Sequence, residues 1–191
     1  MQYEAKTFDI PTLDGISQES IDLHLGLYAG YVKHVNLIRE KIAAYSNDQD
    51  NNGYAIAEMQ RRLGFEFGGM KNHEYYFSQF EGGAKPLPDG TLKDMITSQW
   101  GDFDTWLQRF KTIASTRGVG WAMLYYDKDT NQLVQTWVDE QHLGQLADAH
   151  IVLALDMWEH SYMRDYLPAQ KGEYIDAFFR NLNWEVVASR V

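Results

Sequence analysis

Residues 118–138 read GVGWAMLYYDKDTNQLVQTWV. Two runs rich in aromatic and β-branched residues, 118–126 and 132–138, flank the polar stretch 127–131. That pattern predicts a β-hairpin. Downstream, the short apolar run 151–155 (IVLAL) predicts a third, buried strand. Upstream the period changes from two to nearly four. Between 17 and 45, Ile21, His24, Leu25, Tyr28, Tyr31, Val32, Val35 and Leu37 recur at steps of three and four, which predicts one long helix. Ser17 or Ser20 can cap it, with Glu19 adding acid to the first turn.

The run 47–53 (NDQDNNG) predicts a break, and 54–78 a second helix carrying Ile56, Met59, Leu63, Phe67, Met70 and Tyr75. Gly64, Gly68 and Gly69 each weaken that helix by about 1 kcal/mol relative to Ala. Their clustering predicts that another backbone approaches there. The stretch 81–90 (EGGAKPLPDG), with three glycines and two prolines, predicts a linker. It divides an N-terminal helical hairpin domain (1–83) from a C-terminal α/β domain (84–191), with a metal site expected at their interface. Residues 92–114 read as helical with a break near Gly101, where Asp102 or Asp104 can cap. Residues 157–166 and 172–180 read as helices, and Asn183-Trp184 opens a last one. The fold class is α+β: a long antiparallel helical hairpin, then a three-stranded antiparallel sheet flanked by helices.

The 191 residues suffice for one sizeable domain or two small ones sharing a core. Lys and Arg number 17 and Asp and Glu 27, a formal charge of −10. That balance argues against nucleic acid and against an anionic membrane surface, since both need basic patches. No apolar run approaches the ~20 residues of a spanning helix. Residues 1–11 show no basic stretch followed by an apolar one, so the expectation is a soluble cytoplasmic protein. The chain has no cysteine, which excludes disulfides, thiolate metal sites and cysteine nucleophiles. Any transition-metal site must therefore draw on the six histidines and the carboxylates, a donor set suited to Fe, Mn, Zn, Ni or Cu. The densest such group is 156–160, DMWEH.

Five segments in order resemble the iron/manganese superoxide dismutases. Residues 156–162, DMWEHSY, resemble that family's D-x-W-E-H-x-Y signature. Asn72-His73 with Tyr75, Tyr76 and Phe77 resembles its second-helix motif, and His24-Leu25-Gly26 with Tyr31-Val32 and Asn36 its first. Residues 118–122 resemble its G-x-G-W segment, and Asn183-Trp184 its C-terminal N-W. The resemblance implies a helical hairpin joined to an α/β domain and one Mn or Fe ion per chain. It implies His24, His73, Asp156 and His160 as ligands, superoxide as substrate, and a homodimer. Its activity is the disproportionation of superoxide to oxygen and peroxide, with partners around the ligands tuning potential and proton supply.

The resemblance also marks departures. Iron-preferring members usually carry a glutamine four residues before the second-helix histidine, where this chain has Gly69. Manganese-preferring members take it from the sheet hairpin, here Gln141, with Gly69 expected to leave room for it. A one-residue shift would put His142 there instead. These features favour manganese, with a cambialistic site as the alternative. His24 and the gateway tyrosine, Tyr31, are seven residues apart rather than eight, so no widened helical turn is expected between them. Tyr28 competes for the gateway role. Trp121, Trp158 and Tyr76 are expected to wall the site. Glu159 is the expected bridge to the partner's His160. Met163 replaces the interface tyrosine, and the histidine that would pair with it is missing too. The family's funnel lysine corresponds to Leu27 and its C-terminal arginine to Lys171, which predicts slower, more salt-sensitive capture of an anion. A metal-binding protein on the same fold, with catalysis lost through the changed gateway, is the alternative reading.

Overall fold

The computed structural model describes residues 2–191. Helix α1 (Gln18–Tyr45) and helix α2 (Gln49–Ser78) form the hairpin, joined by a 3₁₀ turn at Ser46–Asp48. The Ser17 hydroxyl caps α1 by accepting from Ser20 N–H at 3.1 Å. Backbone bonding in α1 is α-helical throughout, with no widened turn between His24 and Tyr31. Helix α2 begins five residues before the expected start. The polar side chains that read as a break instead support its first turn: Asn51 donates to the Asp48 carboxylate and Asn52 to the Asp48 carbonyl.

Helices α3 (Thr91–Trp100) and α4 (Phe103–Ala114) follow. They part at Gly101, whose φ of 91° suits only a residue without a side chain, and Asp102 caps α4. The sheet comprises β1 (Gly120–Asp127), β2 (Gln132–Asp139) and β3 (His150–Asp156) in the order β2-β1-β3, all antiparallel. Central β1 is buried from Gly120 to Tyr125, as expected for a strand covered on both faces. The β1–β3 register shifts between Leu124 and Tyr125, so a bulge leaves Val152 without a partner on β1.

The reading of 157–166 as a helix is corrected. Only Glu159–Ser161 forms a 3₁₀ turn. Trp158 N–H donates to Asp156 Oδ1 at 2.8 Å, and the Ser161 hydroxyl reaches the carbonyls of Asp156 and Trp158. Such local side-chain bonds compete with the helical ladder. Helices α5 (Lys171–Asn181) and α6 (Trp184–Ala188) close the chain. One core joins the hairpin to the sheet, running from Ile21, Tyr28 and Val32 through Met70, Tyr76 and Phe77 to Trp121 and Leu155. Among the described residues, no helix is long and apolar enough to cross a membrane.

Candidate metal centre

Four side chains from four places in the chain converge inside that core. α1 supplies His24, α2 supplies His73, the end of β3 supplies Asp156, and the 3₁₀ turn supplies His160. One donor atom from each lies within 4.8 Å of every other. Asp156 Oδ1 is taken by Trp158 N–H, which leaves Oδ2 facing the imidazoles. His24 Nε2 lies 3.1 Å from that oxygen, His160 Nε2 3.2 Å and His73 Nε2 3.5 Å.

The donor set fits a cation. His73 Nδ1 donates to the Gly69 carbonyl at 2.6 Å, which fixes the tautomer and turns the Nε2 lone pair inward. Nε2 is buried with no hydrogen-bond partner. An unpartnered buried nitrogen is costly unless an ion takes the lone pair. Burial pushes the His73 imidazole down to about 3, with His24 adding to the effect, so the ring is neutral and ready to ligate. Burial lowers His24 as well, against the opposing pull of Asp156. Burial alone would raise the Asp156 carboxyl. The charge of His160 and hydrogen bonds from His160 and His24 outweigh it and hold the group below the usual carboxylate range. Three imidazoles and a carboxylate make a compact N3O donor set.

Beside the donors runs a chain of oriented bonds. Trp121 Nε1 donates to Gln141 Oε1 at 3.0 Å, and Gln141 Nε2 donates to Tyr31 Oη at 2.9 Å. Gln141 is fully buried, and Asn72 holds its backbone by donating to the Gln141 carbonyl at 3.0 Å. The Tyr31 ring packs on His73, centroids 5.1 Å apart. Burial raises the Tyr31 hydroxyl well above the ordinary value, followed by the charges of Asp156 and Glu66, so the proton stays on.

The glycines of α2 make this chain possible, with roles that differ from the expectation. A Cβ on Gly68 would run into the Gln141 carbonyl. A Cβ on Gly69 would lie 2.5 Å from Tyr31 Cδ1, so Gly69 makes room for the tyrosine ring rather than for the glutamine. His142 packs on Phe65 and against Gly64 and Gly68, leaving the position between Trp121 and Tyr31 to Gln141. Tyr28 is turned elsewhere: its hydroxyl accepts from Lys6 N–H at 2.9 Å. Trp121 lies 5.1 Å from His73, Tyr76 4.9 Å from His24, and Trp158 stacks 5.8 Å from His160. Glu159 is exposed beside them.

Tyr174 is a contributor that sequence reasoning missed. Its hydroxyl donates to the Asp156 carbonyl at 2.9 Å and meets the Tyr76 hydroxyl at 3.2 Å. Nothing in the spacing of α5 distinguishes it from a packing tyrosine.

A helical hairpin and an antiparallel sheet share a three-histidine, one-aspartate cluster that could hold one metal ion, buried except for a partly exposed His160, which is the arrangement of a metal-binding protein. Residues 88–190 match the model for the C-terminal domain of iron/manganese superoxide dismutases. The chain is 31% identical to an iron superoxide dismutase of Saccharolobus solfataricus, an alignment spanning 100% of this chain and 96% of that one. It is 34% identical to a manganese superoxide dismutase of Haloferax volcanii, over 92% of this chain and 86% of the other. It is also 34% identical to an iron superoxide dismutase of Aquifex aeolicus, over 93% and 85%. The chain belongs to the iron/manganese superoxide dismutase family.

Proposed function

We propose that this protein is a superoxide dismutase that holds one manganese or iron ion on His24, His73, Asp156 and His160. The convergence of three imidazole nitrogens on Asp156 Oδ2 supports this reading above all else. When bound, the ion supplies one-electron chemistry: one superoxide is oxidised to oxygen and the next, with two protons, is reduced to peroxide. The protein's residues hold the ion and manage those protons. Gly69 O orients His73, and Trp158 N–H orients Asp156. The Tyr31 oxygen already accepts from Gln141, so its own proton is free to point into the site and be given at Oη. Trp121 fixes the amide that does this, and Trp158 and Tyr76 exclude water.

Gln141 comes from the turn after β2, while α2 presents Gly69 in the alternative position, and this favours manganese. The active form we propose is a cytoplasmic homodimer with superoxide as its small-molecule substrate. Leu23, Leu27 and Met163 are 57%, 44% and 48% exposed, and the His160 side chain is 21% exposed beside Glu159. A two-fold contact there would cover this apolar surface and let Glu159 reach His160 of the partner subunit.

The test is metal content by mass spectrometry on protein expressed with manganese and with iron, with dismutase activity on each batch. About one ion per chain, with activity following manganese, is the expected result. Full loading without activity in either batch would favour a metal-binding protein on this fold.

A further inference from the structure

The outer edge of β3 is closed by side chains. β3 pairs with β1 on one side only. On the other side, Ala154 N–H donates to Gln79 Oε1 at 2.8 Å, and Gln79 Nε2 donates to the Ala154 carbonyl at 2.9 Å. The fully buried carboxamide of Gln79 thus stands in for a neighbouring strand. Two residues back, the carbonyl of the bulged Val152 accepts from Arg190 Nη1 at 2.8 Å. The same nitrogen lies 3.2 Å from Gln79 Oε1. Arg190 Nη2 donates to Ser78 Oγ at 2.8 Å and to the Tyr75 carbonyl at 3.2 Å. One planar guanidinium therefore ties the last turn of α2 to the bulge of β3. It adds a second side-chain donor to the Tyr75 carbonyl, which also accepts from Ser78 Oγ at 3.2 Å, and places a cation at the negative end of the helix dipole.

The two tied elements each carry a donor of the metal centre. His73 lies on α2, six residues before the Gln79 that follows it, and Asp156 two residues after Ala154 on β3. Their facing atoms are 3.5 Å apart. Neither Arg190 nor Gln79 bonds to any of the four donors, so their influence is on where the donors stand. We propose that Arg190 and Gln79 form a clamp that sets the position of Asp156 relative to His73, which makes both of them positioning residues of the metal centre. The proposal rests on the reading of those two residues as ligands.

The test uses the full chain loaded with manganese. It compares wild type with Arg190→Met, Gln79→Leu and, as a control destabilised within α3, Leu92→Ala. Leu92 is buried in α3, an element that carries none of the four donors and neither clamp residue. The readouts are the rate of manganese release to a chelator and the midpoint potential of the loaded protein. Partners that orient ligands typically change metal affinity by about 10–100-fold. The expected result is release roughly tenfold faster in both clamp variants with a shifted potential, and neither change in Leu92→Ala. Should a clamp variant fail to fold, Arg190→Lys is read the same way: it keeps the charge and loses the planar fork, so release accelerates there too. Release within twofold of wild type at an unchanged potential overturns the proposal, as does equal acceleration in Leu92→Ala. If wild type itself takes up no ion, the ligand reading has failed and the clamp falls with it; if wild type loads normally and the variants match it, only the clamp has failed.

Discussion

The ring of Tyr31 lies directly over the α-carbon of Gly69, so close that a Cβ there would sit 2.5 Å from Cδ1 and 2.6 Å from Cε1. One hydrogen atom on α2 therefore determines where a hydroxyl on α1 points. Alanine at position 69 would gain about 1 kcal/mol of helix propensity. It would also force the ring aside, at an overpacking cost of about 1–3 kcal/mol. Gly69→Ala should lower the melting temperature and loosen the bond from Gln141 to Tyr31, with activity falling in step. Gly68→Ala should be worse, because the obstacle there is the backbone carbonyl of Gln141 rather than a ring that can tilt. Calorimetry and activity on both variants check the order; a more stable, fully active Gly69→Ala would contradict the packing argument.

Tyr31→Phe keeps the ring over Gly69 and removes the oxygen that accepts from Gln141. Folding should be nearly unaffected and metal content unchanged, while kcat falls roughly 10–100-fold. Steady-state kinetics on protein of matched metal content decide the matter. An unchanged kcat would remove Tyr31 from the proton route.

Acid should weaken the metal-free protein before it reaches the carboxylate range. His73 is held down to about 3 from an ordinary 6.5, chiefly by burial, and His24 is lowered by the same cause. Between those limits the unfolded chain binds protons that the folded one refuses, so stability is present at neutral pH and declines as pH falls below about 6.5. Each such histidine contributes a slope of about 1.4 kcal/mol per pH unit. At still lower pH, Asp156, whose folded value is depressed, adds its own loss as it takes up a proton. Urea midpoints of the metal-free protein at neutral pH and near pH 5 should differ visibly; equal midpoints would mean that the buried imidazoles are already charged.

Capture of an anion by a chain of charge −10 should depend on salt. Leu27 offers an exposed apolar side chain. The Lys171 ammonium is bound to the Thr116 carbonyl at 2.9 Å, and burial lowers its pKa. At these two positions no free positive charge offsets the overall repulsion. Raising ionic strength from about 10 to about 150 mM shortens the screening length from about 30 to about 8 Å and should increase kcat/KM. A flat profile would show that local potential governs capture.

Glu159→Ala should shift the assembly toward monomers and leave each fold intact, since Glu159 is exposed and its backbone, not its side chain, supports the 3₁₀ turn. Sedimentation of wild type and variant at equal concentration reads this directly. A variant that sediments like wild type would remove the bridge.

The sequence made the hairpin and the three strands legible through periodicity, and the four donors only through the resemblance of its motifs to those of the iron/manganese superoxide dismutases. It also indicated that α2 is approached closely at its glycines, though assigning Gly69 to Tyr31 required the structure. The course of 157–166 was illegible because helical spacing says nothing of the Ser161 hydroxyl and Asp156 carboxylate competing for the same backbone groups. Gln79, Tyr174 and Arg190 were illegible for a related reason. Each binds main-chain carbonyls near the site, and a carbonyl leaves no trace in the identity of the residue that bears it.

The covered edge of β3 also bears on solubility. An open strand edge is a template on which another chain can add itself. Here the outward groups of Val152, Ala154 and Asp156 are engaged by Arg190, Gln79 and Tyr174. As long as the end of α2, α5 and Arg190 all stay docked, these three positions of β3 are closed to a neighbouring molecule. Once they detach, the strand that carries Asp156 becomes the adhesive surface of the protein, so heat-driven aggregation should begin at β3.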